Sequence, residues 1–201
     1  MKESSALTQY RIVKGQEILP YKEAVADVGL AVFREYPYFF EGTVSEYLDY
    51  LLMGANSKHS LFVIAEQDNQ VIGVIWGVPV VDYTLDMIHM FSTHGIEPSK
   101  LFYLSGLTVL RDYRGRDVGY ILYRKFENEV KKQGIYPLLT YCEVIQSSDR
   151  ASPIDYVGLD SYASRIGFVK HPELMCYWSW REVDSLQIKE HPMVFWIKNL
   201  Y

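Results

Sequence analysis

Arg114 and Arg116 flank Gly115, and Gly119 follows close behind. These residues occupy a turn between an apolar β-like run, Leu101 to Leu110, and a helical stripe at Val118, Ile121, Leu122, Phe126 and Val130. A turn that opens directly into a helix presents backbone N–H groups with no helical acceptor, and the arginines add positive charge. That is the chemistry of phosphate binding. Asp117 runs against it. Its carboxylate lies where an anion should sit and is able to cap the helix itself, using the N–H groups a phosphate needs. The alternative is an Asp117 that points outward and pairs with Arg116, Arg114 or Lys125. A second isolated charge is Glu143, the one charged side chain in the run Leu138 to Ile145. Partial desolvation there raises a carboxyl group toward the range useful for proton transfer.

The elements that position these groups follow from periodicity and punctuation. Tyr10 to Val13 alternate as a short first strand. Pro20 opens a helix whose stripe is Ala24, Val25, Val28, Ala31 and Val32, ended by Pro37. Thr43 with Glu46 three residues on forms a capping box for a second helix, running through Tyr47, Leu48, Leu51 and Leu52 to Gly54. Leu61 to Glu66 and Gln70 to Val81 read as a hairpin around Gln67-Asp68-Asn69, with Pro79 marking a bend or a sheet edge. Residues 82–100 are less regular and include a short helix. The strand Leu101 to Leu110, the helix 118–133 stopped near Gly134, and the strand Pro137 to Ile145 make a β-α-β unit. Its strands must be parallel and joined by a right-handed crossover. A polar loop at 146–156, a short helix Asp160 to Ile166 ended by Gly167, and an antiparallel pair, Phe168 to Val183 with Met193 to Leu200, complete the order β-α-α-β-β-β-α-β-α-β-β. The fold class is a mixed α/β sheet, mostly antiparallel, with one parallel pair and helices on both faces.

A chain of 201 residues, 49% of them hydrophobic, is expected to form a single domain over 1–201, with residues 1–9 a loose terminus. The net charge of -5 argues against a nucleic-acid partner. No apolar stretch is long enough for a membrane span, and the start lacks the apolar centre of a signal peptide, so the expected location is cytoplasmic. Cys142 and Cys176 form no CxxC pair and read as free buried thiols. The five histidines form no HxxxH or HxH pair, so no metal is expected.

With Arg-Gly-Arg-Asp-Val-Gly at 114–119, this order resembles the GNAT superfamily of acyl-CoA-dependent N-acetyltransferases over nearly the whole chain. Leu107-Thr108-Val109 fills the tripeptide that ends the strand before the family's R/Q-x-x-G-x-G/A motif. Arg114 fills the first motif position and Gly119 the last. Gly167-Phe168 and the terminal strand through Phe195 to Leu200 match further signatures. Asp117 departs from the motif, standing where the family has its first glycine. The resemblance implies that the parallel strands splay apart and hold the pantetheine arm of acetyl-CoA, the co-substrate, against the backbone of Leu107 and Val109. Arg114, Gly115, Arg116, Asp117, Val118, Gly119 and Tyr120 then wrap the pyrophosphate.

The implied reaction is direct attack of a primary amine, borne by a small molecule or a protein, on the acetyl thioester. Such a reaction uses a base for the amine and an acid for the departing thiolate. The glutamate common in the family around 104–105 is replaced by Leu104 and Ser105. Its common tyrosine, four residues before Gly167, falls on Ala163, with Tyr162 one place off. That leaves Glu143 as candidate base and Tyr162 as candidate acid, with Tyr141 and His94 as further candidates. Residues 82–100 are expected to shape the acceptor pocket or an oligomer contact such as a homodimer. The acidic surface mildly suits a cationic acceptor such as a polyamine or an aminoglycoside. The missing glutamate and tyrosine motivate the alternative of a catalytically silent acyl-CoA-binding or protein-interaction module.

Overall fold

The computed structural model describes residues 7–146, 153 and 159–201. Residues 1–6, and most of the polar loop expected at 146–156, lie outside the described residues. One seven-stranded sheet runs through the molecule. Its strands are β1 (Gln9–Lys14), β2 (Leu61–Gln67), β3 (Gln70–Pro79), β4 (Leu101–Val109), β5 (Leu138–Val144), β6 (Val169–Arg181) and β7 (Ile188–Asn199). Their spatial order is β1-β2-β3-β4-β5-β7-β6. Every pairing is antiparallel except β4 with β5, so the expected mixed sheet with one parallel pair is the fold.

The helices are α1 (Lys22–Phe33), α2 (Val44–Asn56), α3 (Leu85–Thr93), α4 (Val118–Gln133) and α5 (Leu159–Arg165). Helix α2 starts as its sequence demands: Thr43 N–H donates to Glu46 Oε2 at 2.7 Å, and Glu46 N–H donates back to Thr43 Oγ1 at 3.2 Å. The faces of the sheet are separately covered. Val118, Leu122, Phe126 and Val130 of α4 pack with Phe102, Leu139 and Trp196 on one face, joined by Ala163 of α5. On the other face, Val25 and Val28 of α1 and Leu51 and Ala55 of α2 pack on Phe62, Ile64 and Trp76. Beside them Met87, Met90 and Phe91 of α3 pack on Leu101, Phe195 and Met193. The segment 82–100 thus holds the expected short helix, seated as part of a core. Among the described residues no helix is long and apolar enough to cross a membrane.

Two boundaries differ from expectation. Pro79 neither bends β3 nor puts it on an edge; it is the last residue of a central strand, paired with Phe102. A proline at a strand end removes no ladder bond that the strand needs. Strand β7 begins at Ile188, upstream of the expected Met193, because the β6–β7 hairpin projects into solvent there. Ile188, Lys189 and Glu190 are exposed, so their pairing leaves no hydrophobic alternation to read.

The decisive irregularity is in β4. The β3–β4 register is Trp76↔Gly106 and then Gly77↔Leu104, which leaves Ser105 as the extra residue of a bulge. Phe102 and Leu104 pack toward α4 before it, and Leu107 and Val109 do so after it. Strict alternation would have turned Leu107 and Val109 to the opposite face, so the bulge resets the phase. Gly77 permits the close approach this needs: a Cβ there would lie 2.3 Å from the Tyr103 carbonyl oxygen and 2.8 Å from Phe126. Gly77→Ala is therefore expected to destabilise the protein by about 1–3 kcal/mol, read as a lower midpoint in urea. A wild-type midpoint would show that β4 shifts at no cost.

Tyr47, Tyr103 and Cys142 are buried, and Tyr50 is partly buried beside them. Burial pushes Tyr47, Tyr50 and Tyr103 well above the ordinary tyrosine value of 10.0, and Cys142 well above the ordinary cysteine value of 9.0. Above about pH 9 the unfolded chain loses protons that the folded chain keeps, so the folded state binds more protons and stability falls as pH rises. The urea midpoint should drop steadily from about pH 9 upward, with phenolate absorbance from these residues appearing together with unfolding. Their ionisation near pH 10 in a protein that stays folded would contradict this packing.

Candidate functional site

The parallel ladder between β4 and β5 spans Leu101–Tyr103 against Leu138–Thr140 and goes no further. Beyond it β4 continues to Val109 on β3, while β5 continues to Val144 on β7. The strands diverge, and a cavity of about 140 Å³ lies where they part, lined by Leu104, Leu107, Tyr123, Tyr141, Tyr162 and Phe168 among others. The direction of the peptide groups follows from one bond: Leu110 N–H donates to Ile72 of β3 at 2.9 Å. Peptide groups alternate in direction along a strand. Those of Thr108 therefore face β3, and those of Leu107 and Val109 face the opening. The Leu107 peptide and the Val109 N–H thus line the opening, and the Val109 carbonyl is taken by Arg114 Nε. The Thr108 side chain is buried, with Oγ1 3.5 Å from the Val74 carbonyl.

At the end of this opening comes the turn into α4. The first helical bond runs from Ile121 N–H to the Asp117 carbonyl at 2.9 Å, which leaves the N–H groups of Val118, Gly119 and Tyr120 without helical acceptors. Asp117 adopts a left-handed conformation at φ 60° and makes no side-chain hydrogen bond to the helix. The carboxylate therefore does not consume the donors. A Cβ on Gly115 would meet nothing within 4 Å, and one on Gly119 would meet only Val109, at 3.8 Å. Gly115 is called for by its own left-handed backbone, at φ 72°, and Gly119 leaves the first turn of α4 bare, so the free N–H groups are open to an anion. Arg114 plays a different part from the one expected of its charge. Its Nε donates to the Val109 carbonyl at 2.9 Å and its Nη1 pairs with Glu35 at 2.6 Å, so the guanidinium pins the turn to β4 and to the end of α1. Arg116 is exposed, with its guanidinium 5.9 Å from the Tyr113 ring centre.

A second, larger cavity of about 760 Å³ lies between α1, α2, the start of the 82–100 segment and the β6–β7 hairpin. Phe33, Tyr38, Ser105 and Cys142 line both cavities and form the neck between them. Ser105 reaches the neck because of the bulge. Tyr50 O–H donates to the Ser105 carbonyl at 3.1 Å, and its oxygen lies 2.5 Å from Ser105 Oγ. Tyr83 lines the larger cavity beside them, its ring centre 4.8 Å from that of Tyr103. Burial pushes Tyr50 and Tyr83 far up, and burial does the same to Cys142, whose sulfur lies 3.2 Å from the Tyr103 hydroxyl. The neck thus carries hydroxyls and a thiol, all protonated at ordinary pH.

The candidate catalytic residues separate. Tyr162 lines the smaller cavity although it is one place off the family position. Its buried hydroxyl has no hydrogen-bond partner among the described residues, and burial raises it above the ordinary tyrosine value. Tyr141 lines the same cavity, stacked on Trp196 at 6.0 Å. Glu143 is not among the side chains lining either cavity. It accepts from Lys170 Nζ at 2.8 Å, in an ion pair that does not serve the base role expected for it. His94 caps the end of α3, with Nδ1 2.8 Å from the Met90 carbonyl, and lines neither cavity. The sequence reading missed Tyr50 as the partner of Ser105, and the wall formed by Tyr83, Trp178 and Trp180. The i, i+2 spacing of those tryptophans on a strand was the available signal, since it puts both on one face.

The model of the acetyltransferase (GNAT) family matches residues 30–154. No curated protein matches the chain by sequence. Among solved structures it is similar to an N-acetyltransferase from Staphylococcus aureus Mu50, with a TM-score of 0.60 and 14% identity over 98% of this chain and 100% of that one. The ribosomal-protein-S18-alanine N-acetyltransferase from Escherichia coli superposes with a TM-score of 0.57 and 11% identity over 96% of this chain and 94% of that one. An aminoglycoside 6'-N-acetyltransferase complexed with coenzyme A gives a TM-score of 0.58 and 12% identity over 95% and 97%. At such identities the structures speak for the fold, and the family model, which spans more than half the chain, speaks for descent: this chain belongs to the GNAT acetyltransferase family.

Proposed function

We propose that the protein transfers an acetyl group from acetyl-CoA to a primary amine by direct attack of the amine on the thioester carbon. The carrying observation is the meeting of two cavities at Ser105, one in the strand opening that leads to the bare N–H cradle, the other open to an acceptor. The N–H groups of Val118, Gly119 and Tyr120 bind the diphosphate, and the Leu107 peptide and Val109 N–H that face the opening bind the pantetheine arm. As the N–C bond forms and the C–S bond breaks, the amine proton passes by way of the Ser105 and Tyr50 hydroxyls to solvent at the mouth of the larger cavity. Tyr162, held protonated, supplies a proton to the departing sulfur.

Acetyl-CoA at about 100 times its Kd should stabilise the protein by about 2.7 kcal/mol, read as a rise in melting temperature. Asp117→Gly should bind acetyl-CoA roughly two- to fivefold more tightly, since an exposed carboxylate beside the diphosphate is a modest repulsion. No thermal shift at millimolar acetyl-CoA would refute the cradle. A shift without turnover across an amine panel would favour a silent acyl-CoA-binding module.

Tyr162→Phe and Ser105→Ala should each lower kcat by about tenfold or more, with the acetyl-CoA shift retained. No side chain in the neck titrates near neutrality, so the rate should rise with pH along the ionisation of the amine itself. A rate inflection near pH 7 that stays fixed when the amine is changed would point to a carboxylate or histidine base and overturn the hydroxyl route.

A further inference from the structure

The walls of the larger cavity carry a preference of their own. Tyr38, Tyr47, Tyr50, Tyr83, Trp178 and Trp180 face it, and its volume of about 760 Å³ falls in the range of sites that enclose a small organic molecule. The rings brace one another. Tyr83 lies 6.4 Å from Trp178, Tyr38 6.1 Å from Trp180, and Tyr47 5.9 Å from Tyr50. Trp180 Nε1 donates to the Tyr38 carbonyl at 2.9 Å, which ties the hairpin to the segment after α1. A wall assembled before the ligand arrives spares the ordering cost of binding.

Among the described residues, the charged side chains that line this cavity are Glu41, Glu46 and Arg181. Glu41 pairs with Arg34 at 2.9 Å. Glu46 accepts from Thr43 N–H and Oγ1, and that backbone bond holds its carboxyl below the usual range. Arg181 also lines the cavity, with Nη2 3.4 Å from the Glu41 backbone carbonyl and its positive charge felt at the Glu46 carboxyl. A ligand with several ammonium groups would lose hydration here, find one of the two acids already paired with Arg34, and meet the positive charge of Arg181 on the same wall. One ammonium fares better. Ring faces attract it on entry, and at the neck the oxygens of Ser105, Tyr50 and Tyr83 are the polar groups that meet it.

We infer that the acceptor is a primary amine carried on one aromatic or bulky apolar body, an arylalkylamine in class, and not a polyamine, an aminoglycoside or a lysine-rich peptide. This rests on the N-acetyltransferase reading for the reaction, while the preference for the body rests on the cavity.

The test therefore measures binding and turnover separately on the full chain. Titration calorimetry with 2-phenylethylamine, spermidine, an aminoglycoside and a lysine peptide, each with coenzyme A present, reads the cavity without chemistry. Coenzyme A release from acetyl-CoA then reads the reaction. The arylalkylamine should bind at least tenfold more tightly than the polycations and the peptide. Trp178→Ala should weaken it about tenfold, Trp178→Phe should restore most of the loss, and the thermal shift with acetyl-CoA should persist in both. Tighter binding of spermidine, the aminoglycoside or the peptide would overturn the inference, as would a Trp178→Ala variant with unchanged affinity for 2-phenylethylamine. Selective arylalkylamine binding without coenzyme A release would leave the cavity assignment standing and remove the reaction.

Discussion

The three-residue length of the parallel ladder between β4 and β5 is the constraint on which the site depends. Past Tyr103 the two strands keep their outer partners and give up each other. Peptide groups left without partners inside a protein cost about 1–3 kcal/mol each, so such an opening persists only if something offsets it. Leu104, Leu107, Tyr123, Tyr141 and Phe168 fill the opening with apolar surface, and an extended ligand running beside β4 would supply the missing hydrogen bonds. The bulge at Ser105 makes both uses compatible. It returns Leu107 and Val109 to the α4 layer, where they pack, while a hydroxyl is left at the point of divergence.

The cradle that follows β4 owes more to dipoles than to formal charge. Arg114, the most conspicuous cation of the motif, is committed to Glu35 and to the Val109 carbonyl. That clamp joins the end of α1, the end of β4 and the turn into α4 at one point. It sets the position of the bare N–H groups at Val118 to Tyr120 more than it attracts an anion. At the far side of α4, the buried Glu127 pairs with Lys198 of β7 at 2.6 Å, and Lys198 also donates to Tyr123 at 3.0 Å. The helix whose first turn forms the cradle is thus tied to both halves of the divided sheet.

What the sequence disclosed was what short-range chemistry determines. The Thr43–Glu46 capping box, the β-α-β unit and the turn into α4 depend on residues a few places apart, and each lies where its pattern put it. Asp117 was legible as an anomaly and not in its outcome, because whether an Asp caps a helix depends on its backbone angles. Its left-handed conformation takes the carboxylate out of capping geometry. Glu143 was legible only in part for a related reason: a lone charge in an apolar run announces partial burial, but its partner Lys170 comes from β6 and cannot be seen from β5 alone. The hydroxyl cluster of Tyr50, Tyr83 and Ser105 draws on α2, the 82–100 segment and a bulge, and no local pattern joins those three.

The neutrality of the neck and the aromatic character of the larger cavity are two sides of one arrangement. An ionised carboxylate at Ser105 would need water or a cation beside it, since an unpaired buried charge is among the costliest groups a fold can hold. Water kept there would wet the walls formed by Tyr83, Tyr103 and Trp178 and weaken their hold on an apolar ligand. The Tyr50 and Ser105 hydroxyls, bonded to each other, need no such hydration, so the rings can close to the point where the two cavities join. A serine at that point therefore supplies no base and, in the same step, leaves the neck between the two cavities without a charge that would hold water.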